Sequence, residues 1–586
     1  MAATSSVTAP LYRILIDGTE IDPVEANAVH DIKITDWLRL PDVCTLAVGY
    51  QAKTEGNPFQ ALDDSKFVVG AALEVKLGST DERTTSTLFK GEIVTVEPDF
   101  QSGSVAMVVR AYDKSHRMMR ARKQRTFKNQ TISDIVKKVG TEYGFSVSTR
   151  PSGGPLDFVL QHNETDWEFV WRLARRVGFE FVVTDSMKAT FGPPELSDEV
   201  ELAYPDDLHS FRPRITSVQQ VEKVNVRGFD LKAKKQVVST KSSPNQLTEA
   251  GIKRSDVLKK FSGDQLEISG QSFSSSGEAD QIAQSALDQL ANAYLAAEGS
   301  CHGNPKIKAG TKLKITGIGS DFSGTYRVAK AQHLLGTAGG YTTEFSNSAG
   351  EHTLLGQSNG HGGGAVQVDS IVVGIVTNNK DPESLGRVRV QLPAVSGEES
   401  FWAPVLVPSA GKERGLSMLP VVGEQVVVAF ENGDPSYPYV LGSMFNGKDT
   451  PGEELALDDG SFALKSDHKA LIAAQEDIKL RTEKGKWEIE VNSGEIKETV
   501  KSPGNYTGTF DGKWGLTANQ AITVESKQSV TIKAPSITVE AQGTMSLTAN
   551  GQLTVESKGV LELKGATVMV SGQAAVNISG ALINLG

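Results

Sequence analysis

The residues best suited to covalent chemistry lie in Gly356-Gln-Ser358-Asn-Gly360, followed by His361 and three glycines. A Gly-x-Ser-x-Gly spacing can present a serine nucleophile on a sharp strand-to-helix turn. That turn needs a strand before the serine and a helix after it. Glycines are poor helix formers, so residues 356–366 read as a Gly-rich linker and Ser358 as a linker serine. Paired carboxylates are the second candidates. Glu453 with Glu454, or the acidic residues between Glu488 and Glu498, have the residue types that glycoside cleavage uses as acid and base. The charged stretch around them reads instead as a solvated connector. The two cysteines, Cys44 and Cys301, are far apart, which is no disulfide framework and fits a reducing compartment. No histidine follows His468, so an iron or zinc site in the C-terminal part is not expected. The expectation is a chain with no catalytic residue, no metal and no cofactor.

The elements that would position any site fill 586 residues, enough for roughly three to five domains. The net charge of −11 disfavours a nucleic-acid partner. A local basic run, Arg110, Lys114, Arg117, Arg120, Arg122, Lys123, Arg125 and Lys128, lacks the interleaved aromatics of a base-stacking surface. It reads as an exposed or interface face. The start, Met1-Ala-Ala-Thr-Ser-Ser, has no basic and apolar leader pattern, so synthesis in the cytoplasm without a signal peptide is expected. No run of about 18 apolar residues suggests a membrane-spanning helix.

Residues 11 to 112 alternate as half-buried strands do. A short helix is expected from Thr131 to a stop at Gly140, and a second from the capping-box pattern Thr165-Asp-Trp-Glu168 to Gly178. Trp167 and Trp171 share one face of the second helix, as core residues would. A longer helix pattern runs from Gly277 to Ala297. After the linker, about five strands in about 80 residues fit a small closed barrel of the OB type.

The last stretch repeats a triplet that is apolar at both ends and mostly polar in the middle. The pairs are Ile522 and Val524, Val530 and Ile532, Ile537 and Val539, Met545 and Leu547, Leu553 and Val555, Leu561 and Leu563, Val568 and Val570, Val576 and Ile578, and Ile583 and Leu585. First members lie 8, 7, 8, 8, 8, 7, 8 and 7 residues apart, and only Met569 breaks the polar-middle rule. Each triplet is a short strand with one apolar edge. Such a strip has no core of its own and must pair with copies of itself. Three chains wound together would point the paired apolar residues to an axis, and nine strands at ~4.8 Å give a shaft of roughly 40 Å. Gly580, Ala581, Ile583, Leu585 and Gly586 would then form a flat, largely apolar end.

Several stretches resemble the VgrG and phage baseplate hub-spike family. Gly374-Ile-Val-Thr-Asn-Asn-Lys-Asp-Pro-Glu-Ser-Leu-Gly-Arg-Val-Arg-Val and Pro420-Val-Val-Gly-Glu-Gln-Val-Val-Val-Ala-Phe-Glu-Asn-Gly-Asp-Pro are similar to its barrel. Arg125-Thr-Phe-Lys-Asn-Gln-Thr-Ile-Ser-Asp-Ile-Val and Asn163-Glu-Thr-Asp-Trp-Glu-Phe-Val-Trp-Arg-Leu-Ala are similar to its hub. The resemblance implies a mainly β protein with an α+β hub of two barrel-like subdomains, an OB-fold barrel and an intertwined triple-stranded β-helix needle. The boundaries expected are hub 1–355, linker 356–366, barrel 367–449, connector 450–513 and needle 514–586. The implied function is the non-enzymatic central spike of a contractile injection system, type VI-like or extracellular. Implied partners are two further copies in a homotrimer, inner tube and baseplate proteins, a PAAR-type tip protein, effector cargo and, transiently, a target membrane. The alternatives are a baseplate hub with cell-wall hydrolase activity and a trimeric tail fibre or adhesin.

Overall fold

A computed structural model of the chain describes residues 10–51, 60–79, 84–101, 104–185, 187–230, 234–261, 263–269, 273, 275–336, 340–348, 371–393, 397, 399–453, 455–456, 462–466, 469–474, 478–481, 487–491, 496–500 and 507–585. It divides into two units, Met1–Leu464 and Lys465–Gly586.

The first unit is built on one antiparallel sheet of eleven strands. From edge to edge these are Leu208–Ile215, Leu295–His302, Gly340–Ser346, Lys330–Gly336, Val29–Trp37, Val43–Gln51, Ser104–Tyr112, Thr84–Gln101, Ala72–Ser79, Pro10–Ile16 and Thr19–Glu20. Alternation decides the faces. In Val43–Gln51, Cys44, Leu46, Val48 and Tyr50 are buried while the residues between them are not. The hairpin between the last two strands turns at Asp17 (φ 50°) and Gly18 (φ 81°), the positive-φ pair that a two-residue turn requires. Two hydrophobic cores lie along the sheet. One gathers Ile14, Ile34, Leu46, Val75 and Val109; the other gathers Leu295, Leu313, Ile315, Tyr326 and Ala331. The two barrel-like subdomains are therefore two cores on a single sheet. They are joined where Lys330–Gly336 pairs with Val29–Trp37, Ala331 opposite Asp36 and Leu334 opposite Lys33.

Two helices carry the third core. Ile132–Glu142 starts at a Thr131 cap, as expected, but continues past Gly140, and the chain turns at Gly144 (φ 83°). One glycine costs a helix only about 1 kcal/mol, less than the packing of Ile135, Val136 and Val139 returns. Asp166–Val177 has the expected capping box between Thr165 and Glu168 and ends at Gly178 in the left-handed region. Trp167 and Trp171 are buried in this core. The long helix spans Ser276–Asn292, not 277–297. Leu295 and Ala297 instead lie on the core side of a strand, because the sheet offers that segment backbone partners as well as burial.

The small barrel orders its strands Ala403–Pro404, Arg387–Gln391, Val372–Asn378, Gln425–Phe430 and Pro438–Ser443. A parallel bridge between Val405 and Val440 joins the first strand to the last. Its core of Val376, Val388, Val390, Val426, Val428 and Val440 also takes in Phe158 and Leu160 from a helical-core hairpin. A polar joint reinforces this seam. Ser436 Oγ accepts from the Leu160 amide at 3.3 Å. Arg176 pairs with Glu278 on the long helix and stands 3.8 Å from Asp434 of the barrel.

The loop of the barrel's first hairpin is clamped by Asp381. Its carboxylate accepts from the amides of Glu383 (3.1 Å), Leu385 (2.9 Å) and Arg387 (3.3 Å), and from the Arg387 guanidinium at 2.7 and 3.0 Å. These donors hold its pKa well below the usual carboxylate range, the Arg387 side chain first among them. The stabilisation is complete above the ordinary carboxylate pKa and is lost as pH falls through the lowered one. Asp381→Asn should therefore cost about 1.5–3 kcal/mol at neutral pH. Urea unfolding should find that gap constant down to about pH 4 and closing below it.

Candidate interaction surface

The triplets stand at the surface. Every residue from 507 to 585 is exposed, and none of them belongs to a sheet within the chain. Bends fall between successive triplets, at 527–528, 535, 542–543, 550–551, 558–559, 566–567, 573–574 and 581. Serines shape two of them. Ser526 Oγ accepts from the Gln528 and Ser529 amides, and Ser557 Oγ accepts from the Gly559 amide. The seven- to eight-residue period is thus present as a run of extended pieces and bends with no partner strand among the described residues of this stretch.

The side chains are sorted even so. First members such as Ile522, Ile537 and Ile583 are 46–55% exposed, whereas the middle residue Met569 is 86% exposed. The first members lean on their own chain more than the last members do, Val524 and Ile532 being 73% and 72% exposed. All sixteen expected core residues, Ile522 to Ile578, are therefore exposed in the single chain. Their burial needs groups the chain itself does not supply. An extended backbone with unpaired N–H and C=O groups beside an apolar edge is a pairing template. Of the expected end residues, Gly580, Ala581, Ile583 and Leu585 are exposed, and Gly586 lies outside the described residues.

Most of the chemistry candidates are not described. Ser358 and its linker, Glu454 and His468 lie outside the described residues. In the connector sheet of Ile478–Arg481, Trp487–Val491 and Ile496–Val500, Glu488 sits opposite Arg481 in the register, and Glu490 opposite Lys479 and Lys497. Glu498 sits opposite Ile489. Cys44 and Cys301 are buried, and burial pushes both thiols up, Cys301 to about 12.

Five cations of the basic run pair with the chain's own carboxylates at the surface. Arg110 pairs with Glu97 at 2.6 Å, and Arg117 with Glu92. Arg122 reaches Glu168 at 3.4 Å, and Lys123 reaches Asp166 at 2.7 Å. Arg125 binds Glu142 at 2.7 Å, Gln161 at 2.7 Å, and Asp166. Asp166 is fully buried and also accepts from Tyr143 at 2.6 Å. Arg125 and Asp166 belong to the two hub-like motifs, so those stretches meet in one ion-pair network. A face whose cations are spent on its own carboxylates is a poor phosphate binder.

Sequence reasoning missed two clusters because their members are scattered along the chain. One is the joint of Arg176, Glu278, Asp434 and Tyr437. The other is a trio of carboxylates. Asp36 and Asp42 share a side-chain hydrogen bond, and Asp113 accepts from the Asp42 amide at 2.5 Å. Asp42 accepts from the Trp37 amide at 3.1 Å, and Asp36 from the Ala309 amide at 3.1 Å. Lys308 bears on Asp36 and His116 on Asp113. Burial first, then the charges of Asp36 and Asp113, raise Asp42 well above the usual carboxylate range. Among the described residues, no group of three His, Cys, Asp or Glu has metal-binding geometry.

Comparison with known proteins places this geometry. The family model for the Alg8 N-terminal domain matches residues 6–336, more than half of the chain. The type VI secretion system/phage-baseplate injector OB domain matches residues 372–445. The actin cross-linking toxin VgrG1 of Vibrio cholerae is 22% identical over 467 residues, covering 72% of this chain and 41% of the toxin. The type VI secretion system spike protein VgrG1a of Pseudomonas aeruginosa is 23% identical over 390 residues, 58% of this chain and 57% of the relative. The chain thus spans between about two fifths and three fifths of these relatives. A solved Escherichia coli type VI secretion component, described as similar in structure to the T4 tail proteins gp27 and gp5, superposes with a TM-score of 0.47 at 15% identity. The match covers 74% of this chain and 99% of that one.

Two outcomes follow from these surfaces. A carboxyl group whose folded pKa is raised contributes stability below its ordinary pKa and loses it as pH rises through the folded one. Asp42→Asn should therefore raise the hub's melting temperature at pH 8 and lose that advantage by about pH 4, read by scanning calorimetry. Ile537→Asp or Leu553→Asp would bring carboxylates together along an apolar seam, at a cost of several kcal/mol per buried charge. Light scattering should then find the 62.7 kDa monomer where the unsubstituted chain forms a larger assembly.

Proposed function

From the chain's membership of the Alg8 N-terminal-domain family, and with it of the VgrG and phage baseplate hub-spike proteins, we propose that it is the structural central spike of a contractile injection system, type VI-like or an extracellular phage-tail-like particle. It works as a homotrimer. The hub, residues 1–355, meets inner tube and baseplate proteins; the barrel, 367–449, follows linker 356–366; and needle 514–586 follows connector 450–513.

The observation that carries this reading is the periodic apolar strip of residues 522–585, exposed throughout and without a ladder in its own chain. Three copies supply what one lacks. Paired Ile, Val and Leu residues turn to a common axis, and the ladders run between chains, so no lateral edge is left open. Burying each such side chain contributes about 1.5–3 kcal/mol, repeated at every triplet. The seam is therefore stiff along its length, which suits a part that transmits thrust. Exposed barrel residues, among them Ile371, Leu406, Met418 and Val421, offer a second apolar contact between copies.

The work is mechanical and the chain is not an enzyme, without catalytic residue, metal or cofactor. Support comes from the buried cysteines rather than from the toxin relative, whose name carries an actin cross-linking activity. The protein enters the particle and leaves the cell with it. It carries effector cargo and touches the target membrane transiently. The apolar end formed by Gly580, Ala581, Ile583, Leu585 and Gly586 seats a PAAR-type tip protein.

Deleting residues 580–586 tests the seat. The truncated chain should keep the mass of the full assembly and bind a PAAR-type protein at least tenfold more weakly by calorimetry. Undiminished binding would remove the seat from this account.

A further inference from the structure

Two histidines meet at one edge of the long sheet. The edge strand, Leu208–Ile215, lies beside Leu295–His302. Leu208 stands opposite Cys301 and Ser210 opposite Ser300, so the register slips and His209 is the extra residue of a bulge. Strict alternation would send His209 and Ser210 to opposite faces, yet both are exposed. A bulge re-aims a side chain in this way and locally interrupts the ladder. His209 thereby reaches His302 on the neighbouring strand. Its Nε2 stands 3.2 Å from His302 Nδ1 and 3.3 Å from His302 Nε2, with the two rings at 84°. Both rings are exposed.

We propose that His209 and His302 clasp one divalent metal ion of the zinc, nickel and copper group, with water in its remaining positions. Zinc–imidazole bonds of about 2.0–2.1 Å put two nitrogens of a tetrahedral site roughly 3.3 Å apart, which is the spacing of this pair. Exposed rings turn a nitrogen to the ion without disturbing a core. Imidazole suits these metals, whereas calcium and magnesium take oxygen ligands. Metals bind the neutral ring, and the pair favours it: desolvation first, then the charge of His302, lowers the His209 pKa. Each neutral ring keeps one N–H and offers its bare nitrogen, so no net proton is released. A cavity of about 180 Å³ opens beside His302, lined also by Asp207, Asn304 and Lys306. It gives the ion's waters room and polar neighbours. Lys306 offsets Asp207 there, so the two imidazoles carry the affinity. The rings stand on different strands, and the ion ties the edge strand to its neighbour where the bulge weakens the ladder. This goes beyond the function proposed above, which invokes no metal: the ion does no chemistry and fastens one edge of the hub within a single chain.

The test uses the untagged full chain, stripped with a chelator and titrated with zinc chloride by calorimetry. One zinc should bind per chain. His209→Gln and His302→Gln should each weaken binding about tenfold or more, since losing a residue that merely orients a ligand already costs about 10–100-fold. His30→Gln, on the same sheet, should bind as the unsubstituted chain does. Copper(II) in place of zinc gives a second readout. Its electron paramagnetic resonance spectrum should show two coupled nitrogens in the unsubstituted chain and one in either variant. Circular dichroism checks that each variant is folded. An unsubstituted chain that ignores zinc overturns the clasp. Zinc binding that survives both substitutions together also overturns it and assigns the ion to other histidines. A copper spectrum that neither substitution alters overturns it as well.

Discussion

Between residues 522 and 585 the backbone is extended, apolar along one side and unpaired within the chain. Backbone amides and carbonyls cannot be hidden without partners, and apolar edges are costly in water. Both demands are met together only by strands from outside the chain. That constraint reaches upstream in sequence. The proposed shaft between copies would need folded units upstream, and the first unit is firmly built. Its long sheet, the barrel and the helical core are fastened to one another by packing and by ion pairs.

Those fastenings differ in kind. The barrel shares Phe158 and Leu160 with a helical-core hairpin, which is ordinary hydrophobic burial. Arg176, held between Glu278, Asp434 and Tyr437, adds direction. Nearby acidic groups push its guanidinium pKa up against the opposing effect of burial. A buried pair of this sort contributes little net stability, but losing one partner strands the other. It specifies how the barrel sits on the helical core more than it strengthens the contact. The carboxylate trio of Asp36, Asp42 and Asp113 works the other way. It stores like charge beside the seam of the two sheet cores, where Asp36 also receives the Ala309 amide.

Much of this was legible in the sequence where the signal is local. The Thr165–Glu168 capping box, the Gly178 stop and the barrel strands are written in short windows, and they appear where those windows put them. The seven- to eight-residue period of the triplets recurs as a period of bends. Signals failed where tertiary partners decide. Gly140 did not end its helix, because one glycine costs a helix only about 1 kcal/mol and Gly140 itself is buried in the packed face. Leu295 left a helical pattern for a strand, because apolar alternation near a helix end fits either. The basic run from Arg110 to Lys128 stays largely at the surface, as expected, and what the sequence left out is its pairing, since its acidic partners come from positions such as Glu142 and Asp166. For the candidate surface, the sequence carried the strip and its polarity, while nothing in any one segment writes down what covers the exposed apolar edge.

The central claim is that the triplet ladders run between chains. Amide hydrogen exchange over residues 522–585 measures it directly. The account predicts slow exchange within the triplets in the concentrated, assembled protein, turning fast when dilution dissociates the copies. Fast exchange in the assembled protein, or slow exchange that persists in a monomer, would contradict it.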